Sequence, residues 1–139
     1  MKTIYILLTC LLFSACHGII DPVQTITFDN FSLEASPGWK KYTSQGFDSK
    51  VGGIKKGKDD LKYDFGMYSY SFNKETDATH FIIETVKDGY QTKLVKPRKL
   101  GKGLIGIHIK VNDTQKLTIY GESKNEEEIL KIFESVKIL

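Results

Sequence analysis

Ile105, Ile107, Ile109 and Val111 occupy every second position of the stretch from Leu104 to Val111, with Gly106, His108 and Lys110 between them. Period-two alternation puts the aliphatic residues on one face of an extended strand and the others on the reverse, a pattern an amphipathic helix does not produce. Asn112-Asp113 turns the chain, and Leu117, Ile119 and Gly121 carry the same face onto the next strand. A strand pair that is apolar on one side belongs to an antiparallel sheet with one buried face, and that face needs a cover.

Other segments supply more strands. Phe31 to Ala35 alternates apolar and polar residues, Ser36-Pro37-Gly38 punctuates, and Trp39 to Thr43 resumes an extended pattern. Val51–Ile54 and Leu61–Phe65 flank a polar loop predicted over Lys55–Asp60, and Phe81–Val86 and Tyr90–Val95 flank Lys87-Asp88-Gly89. The cover is legible near the C-terminus. Asn125 is placed to cap a helix, with Glu128 closing a capping box and Glu126 and Glu127 facing the positive end of the dipole. Ile129, Ile132, Phe133 and Val136 then recur at helical spacing, and Lys131 and Lys137 sit toward the C-terminal end. The expected fold is α+β: a single antiparallel β-sheet of about six to eight strands with the C-terminal helix packed on one face.

The chain opens MKTIYILLTCLLFSACHG. Lys2 precedes an apolar run from Ile4 to Phe13, broken only by Thr9 and Cys10, and small residues Ser14 and Ala15 lead to Cys16. Such a stretch reads as a secretory signal, too short for a permanent membrane span. Leu12-Phe13-Ser14-Ala15-Cys16 resembles the lipobox of bacterial lipoproteins, with Phe13 where the usual pattern has Leu. That resemblance implies cleavage before Cys16 by signal peptidase II and lipidation of its thiol. Residues 1–15 are then a signal peptide, 16–23 a lipid-anchored tether, and 24–139 one domain. The expected location is the outer membrane of a Gram-negative cell, or otherwise the outer face of the cytoplasmic membrane.

Cys10 and Cys16 are the only cysteines, so the domain holds no disulfide, thiol nucleophile or cysteine-based zinc site. With 20 basic against 17 acidic residues, and Lys2 lost with the signal, the charge is close to neutral and gives no reason to expect nucleic acid.

Phe31-x-Leu33-x-x-x-Pro37-x-Trp39 and the run Ile129 to Lys137 resemble PsbP-like domains, which also occur in bacterial lipoproteins. The resemblance implies an antiparallel sheet flanked by helices and a role in binding or assembling other proteins. It brings no catalytic residues, and the metal binding known in the family has no motif here.

Two nucleotide-like strings fail on context. Gly101-x-Gly103-x-x-Gly106 runs into a strand where a dinucleotide fingerprint opens a helix, and Asp64-Phe65-Gly66 lacks the other segments of a kinase. His17, His80 and His108 form no metal-ligand pair, G-x-S-x-G is absent, and Asp59-Asp60 is expected in a solvated loop. No metal or cofactor is expected. Lys93, Lys96, Arg98, Lys99 and Lys102 cluster around Pro97. They are either a contact for anionic headgroups or an acidic partner, with Lys96, Arg98 and Lys99 its candidates, or solvated lysines that guard a sheet edge.

In YDFGMYSYSF, Leu61, Tyr63 and Phe65 take odd positions while Tyr68, Tyr70 and Phe72 take even ones. The change of phase predicts a bulge at Gly66. Tyr68 and Tyr70 are then either core or, where the bulge exposes them, binding residues. The expected function is a non-catalytic binding or assembly role in the cell envelope. An immunity or inhibitor lipoprotein acting on a toxin or hydrolase is the alternative, and an enzyme with a discontinuous site the contrasting class.

Overall fold

The computed structural model describes residues 21–139; the signal sequence, the lipidation candidate Cys16 and the first part of the tether lie outside the described residues. The chain forms β1 (Gln24–Thr27), β2 (Phe31–Ala35), β3 (Lys40–Ser44), β4 (Lys50–Lys56), β5 (Asp59–Gly66), β6 (His80–Lys87), β7 (Tyr90–Pro97), β8 (Ile105–Lys110), β9 (Lys116–Gly121), α1 (Glu126–Ser135) and β10 (Lys137–Ile138). Seven strands make one antiparallel sheet in the order β3-β4-β5-β9-β8-β7-β6. The expectation of one large antiparallel sheet carrying a C-terminal helix therefore holds. A single sheet does not: β2, expected within it, pairs with β1 and β10 in a separate three-stranded sheet.

The alternation of the isoleucine strand sets the register. Ile107 faces Ile119 and Ile109 faces Leu117 across β8 and β9, and Tyr63 faces Ile119 across β5 and β9. This apolar face meets α1 and the small sheet. Leu61, Ile105, Ile107, Leu117 and Ile119 pack with Phe31 and Leu33 of β2 and with Ile129, Ile132 and Phe133 of α1 in one core. Phe28 and Phe31 stack at 4.5 Å and meet Tyr63 edge-on at 4.7 and 5.1 Å, joining the two sheets. Each such fully buried side chain contributes roughly 2 kcal/mol by burial, so the shared core is the main cohesive term.

Two local expectations change. The loop over Lys55–Asp60 is only Gly57-Lys58, because β4 runs through Lys56 and β5 starts at Asp59. Asp59 and Asp60 are thus strand residues with partners. Asp59 Oδ2 accepts from Asn125 Nδ2 at 2.7 Å, and Asp60 Oδ1 from the Tyr42 hydroxyl at 2.6 Å.

The capping box is absent as well, since Asn125 makes no side-chain cap bond. Glu128 instead turns to the β2–β3 loop and the end of β4: Oε1 accepts from Ser36 Oγ, from Trp39 Nε1 at 2.9 Å and from Lys56 Nζ at 3.0 Å. Burial raises the pKa of this carboxyl, but those three hydrogen bonds and the Lys56 charge outweigh it and hold the pKa below the ordinary carboxylate value. Lys137 lies past the helix in β10, and Lys131 pairs with Glu127 at 3.5 Å.

No bulge forms at Gly66. The strand ends there, and residues 67–79 leave β5 to reach β6 at the far edge of the sheet. The connection crosses the outer face of β9, β8 and β7. Lys116 Nζ donates to the Met67 carbonyl at 3.0 Å, Thr118 Oγ1 to the Tyr70 carbonyl at 2.7 Å, and Lys93 Nζ to the Phe72 carbonyl at 3.1 Å. Phe72 is wholly buried on Gly106, where an added Cβ would come within 2.2 Å of its ring.

Candidate functional site

The sequence candidates separate in space. Tyr68 lies off the sheet with 81% of its surface exposed. Tyr70 is half-buried, its hydroxyl donating to Glu75 Oε2 at 2.7 Å and its ring edge-on to Phe72 at 5.4 Å. Neither is a strand residue or part of the main core, so their expected strand placement is wrong.

The basic cluster also divides. The register of β7 sets Lys93 opposite His108 on the outer face, whereas Lys96 pairs with Phe81 on the face that carries α1. Lys96 Nζ is 3.3 Å from Glu126 Oε2 of the helix. Arg98 Nε donates to the Asp77 carbonyl at 2.5 Å, and its guanidinium lies 4.3 Å from the Phe81 ring centroid. Lys99 is exposed in the loop that follows β7.

Lys96 and Arg98 thereby stand at one end of a groove of about 600 Å³. Its other walls are Phe81, Ile82 and Ile83 of β6, Leu94 of β7, and Leu130 and Glu134 of α1, with Asp77 next to Arg98. The groove exists because α1 packs toward β2 and β8, leaving the far edge of the large sheet uncovered. Phe81 and Ile83 are consequently 46% and 54% exposed, although both lie on the face that is buried elsewhere. Apolar side chains beside two cations suit a binding surface that anchors an apolar group and orients an acidic one. Phe81 and Ile83 were read from the sequence only as strand residues. Nothing in their alternation marks them as exposed.

Two other places have polar character. On the outer face, His108 Nδ1 is 2.8 Å from Thr118 Oγ1, whose hydroxyl donates to the Tyr70 carbonyl, so Nδ1 carries the hydrogen and donates to Thr118. Burial pushes the His108 pKa down, with Lys116 and Lys93 adding to the effect and outweighing the opposite pull of the Tyr70 carbonyl, so the environment favours the neutral ring. Through this chain the histidine braces the crossing segment. His80 is likewise structural: buried, with Nδ1 at 2.8 Å from Thr79 Oγ1 and Nε2 at 3.1 Å from the Leu104 carbonyl. Among the described residues no three His, Cys, Asp or Glu side chains gather as a metal site. A larger hollow of about 710 Å³ lies beside the first turn of α1, bounded by Asp21, Pro22 and Val23. It adjoins the start of the described chain, and its walls carry both Glu127 and Lys131, already paired with each other.

A scan against protein-family models finds no match, and no curated protein matches the sequence. Among the described residues no helix is long and apolar enough to cross a membrane.

Proposed function

We propose that this chain is a membrane-anchored lipoprotein of the bacterial cell envelope that binds a protein ligand, without catalysis, in the groove between β6, β7 and α1. The observation that carries the reading is the exposure of Phe81 and Ile83 beside Leu94 and Leu130, with Lys96 and Arg98 at the rim. Large apolar side chains gathered at a groove, with a polar margin, are the ordinary composition of an interface core. The anchor is supported by the lipobox-like sequence ending at Cys16. The PsbP-like reading draws support from the placement of its residues. Phe31, Leu33 and Trp39 share the core with Ile129, Ile132, Phe133 and Val136, and β10 pairs with β2.

A photo-crosslinking phenylalanine analogue at Ile83, irradiated in native membranes, tests the binding role. The expected outcome is a reproducible crosslinked protein that is absent when the analogue replaces Thr43 on the opposite edge. Equal products from both positions, or none from Ile83, would overturn it. If the captured protein is a toxin or a hydrolase, the binding role narrows to immunity or inhibition.

A further inference from the structure

We infer that the groove holds its ligand as an added β-strand. The occupant is an extended segment of a partner protein, apolar at alternate positions and acidic at the end nearest Lys96 and Arg98. This deepens the binding role proposed above and rests on it.

The backbone of β6 supplies the first reason. Asp88 and Gly89 have φ of 51° and 85°, a two-residue turn of the kind that joins hairpins, so Lys87 and Tyr90 are a hydrogen-bonded pair. Antiparallel pairing alternates from there, and residues 85, 83 and 81 also turn their backbone groups toward β7. The same phase continues beyond the strand, where Arg98 N donates to the Thr79 carbonyl at 2.9 Å. Ile82, Glu84 and Val86 therefore aim N–H and C=O away from β7. Among the described residues nothing pairs with them, because β6 is the last strand of the sheet.

The two edges of the large sheet differ. β3 is five residues long and opens with Lys40-Lys41, a short charged edge of the kind that discourages pairing. β6 is eight residues of regular register and exposes Phe81, Ile83 and Val86. A strand laid along it would satisfy the free backbone groups and send every second side chain over the groove, which is how strand addition joins affinity to specificity.

Charge decides between occupants. A second copy of this chain, pairing antiparallel with like faces aligned, would bring its own Lys87, already paired with Asp88 at 2.8 Å, to the end occupied by Lys96 and Arg98, and so would offer those cations no free carboxylate. The register centred on Glu84 would also set that carboxylate against itself. Like charges placed opposite one another are destabilising, whereas a foreign strand with an acidic residue at that end meets both cations.

The test uses the full chain in detergent micelles and two synthetic peptides of eight residues, the length of β6. Each alternates valine and threonine, one ending in glutamate and the other in lysine. Amide hydrogen exchange should show new protection at Ile82, Glu84 and Val86 with the glutamate peptide, and weaker binding of the lysine peptide. Glu84→Pro removes one outward N–H and should weaken binding roughly tenfold or more, the cost of leaving one buried hydrogen bond unmade. Glu84→Ala keeps that N–H and should bind markedly more tightly than Glu84→Pro, which separates loss of the N–H from loss of the side chain. If Glu84→Pro fails to fold, Arg98→Glu serves instead and should shift the preference toward the lysine peptide.

The inference is overturned if neither peptide protects these amides, if both bind equally, or if Glu84→Pro binds like the parent. It is also overturned if the same protection rises with protein concentration alone, which would assign the edge to a second copy. None of these outcomes touches the membrane crosslink from Ile83, on which the binding role is judged separately.

Discussion

Gly106 shows how one residue can shape both faces of a sheet. Its neighbours Ile105 and Ile107 point into the core, while its own missing side chain leaves the space that Phe72 fills on the reverse. Phe72 sits at φ 55°, a left-handed conformation rare for an aromatic residue, and its complete burial holds it there. Gly106→Ala should destabilise the protein by about 1–3 kcal/mol through overpacking. In a Phe72→Ala background the same change should cost less, because the clash with the ring is gone and only the close approach to the Ile119 carbonyl at 3.0 Å remains. A double-mutant cycle by denaturant unfolding reads the difference, and strictly additive effects would refute the contact.

Glu128 makes a second residue-scale case. Its carboxylate joins the helix to the loop before β3 through Ser36 and Trp39, and to the end of β4 through Lys56. Because the folded pKa lies below the ordinary value of 4.5, folding favours the ionised form. The stability this contributes is present above pH 4.5 and is lost as pH falls through the lowered folded value. Glu128→Gln should lower stability at neutral pH by about 1 kcal/mol, allowing for partial solvent exposure. It should also flatten the acid limb of the stability curve below pH 4.5, where the folded carboxylate takes up its proton. An unchanged acid limb would remove Glu128 from the account.

At the scale of elements, the hairpin β6–β7 depends on its two-residue turn. Gly89 at φ 85° takes a conformation that a side chain disfavours, and an added Cβ there meets nothing within 4 Å. Gly89→Ala should therefore cost about 1 kcal/mol from backbone conformation alone. The loss should appear as faster amide exchange in β6 and β7 ahead of the strands beneath α1. Uniform loss across the large sheet would mean that the hairpin and the core open as one unit.

The helix illustrates a different element-scale lesson. Its apolar stripe is plain in Ile129, Ile132 and Phe133, yet its expected capping box is replaced by the Glu128 contacts just described. A capping residue competes with any better partner that the tertiary fold brings near. Here Trp39 and Lys56 bring one, and Asn125 is left to bond Asp59.

At the scale of the whole molecule, the described chain starts beside α1, and Gln24 Nε2 donates to the Trp39 carbonyl at 2.8 Å. Residues 16–23 reach at most about 28 Å when fully extended. A lipid on Cys16 would therefore keep the domain within roughly its own diameter of the bilayer. Cys16→Ala should abolish incorporation of radiolabelled palmitate and release the protein from the membrane fraction. Labelling that persists in the variant would end the lipoprotein reading.

Sequence alone marked an apolar face on each of β5, β8, β9 and α1. Alternation in β5, β8 and β9 and the helical stripe in α1 each report burial, because a repeat of 2.0 or 3.6 residues is set by local backbone geometry. Only the tertiary structure decided what each face meets. The separate sheet of β1, β2 and β10 depends on chain ends that are distant in sequence. The crossing of residues 67–79 follows from the strand order, since β5 and β6 lie on opposite sides of β9, β8 and β7. The groove arises for the same reason. Phe81 and Ile83 carry the pattern of buried residues, and they are exposed because α1 covers the centre of the sheet and stops short of its edge.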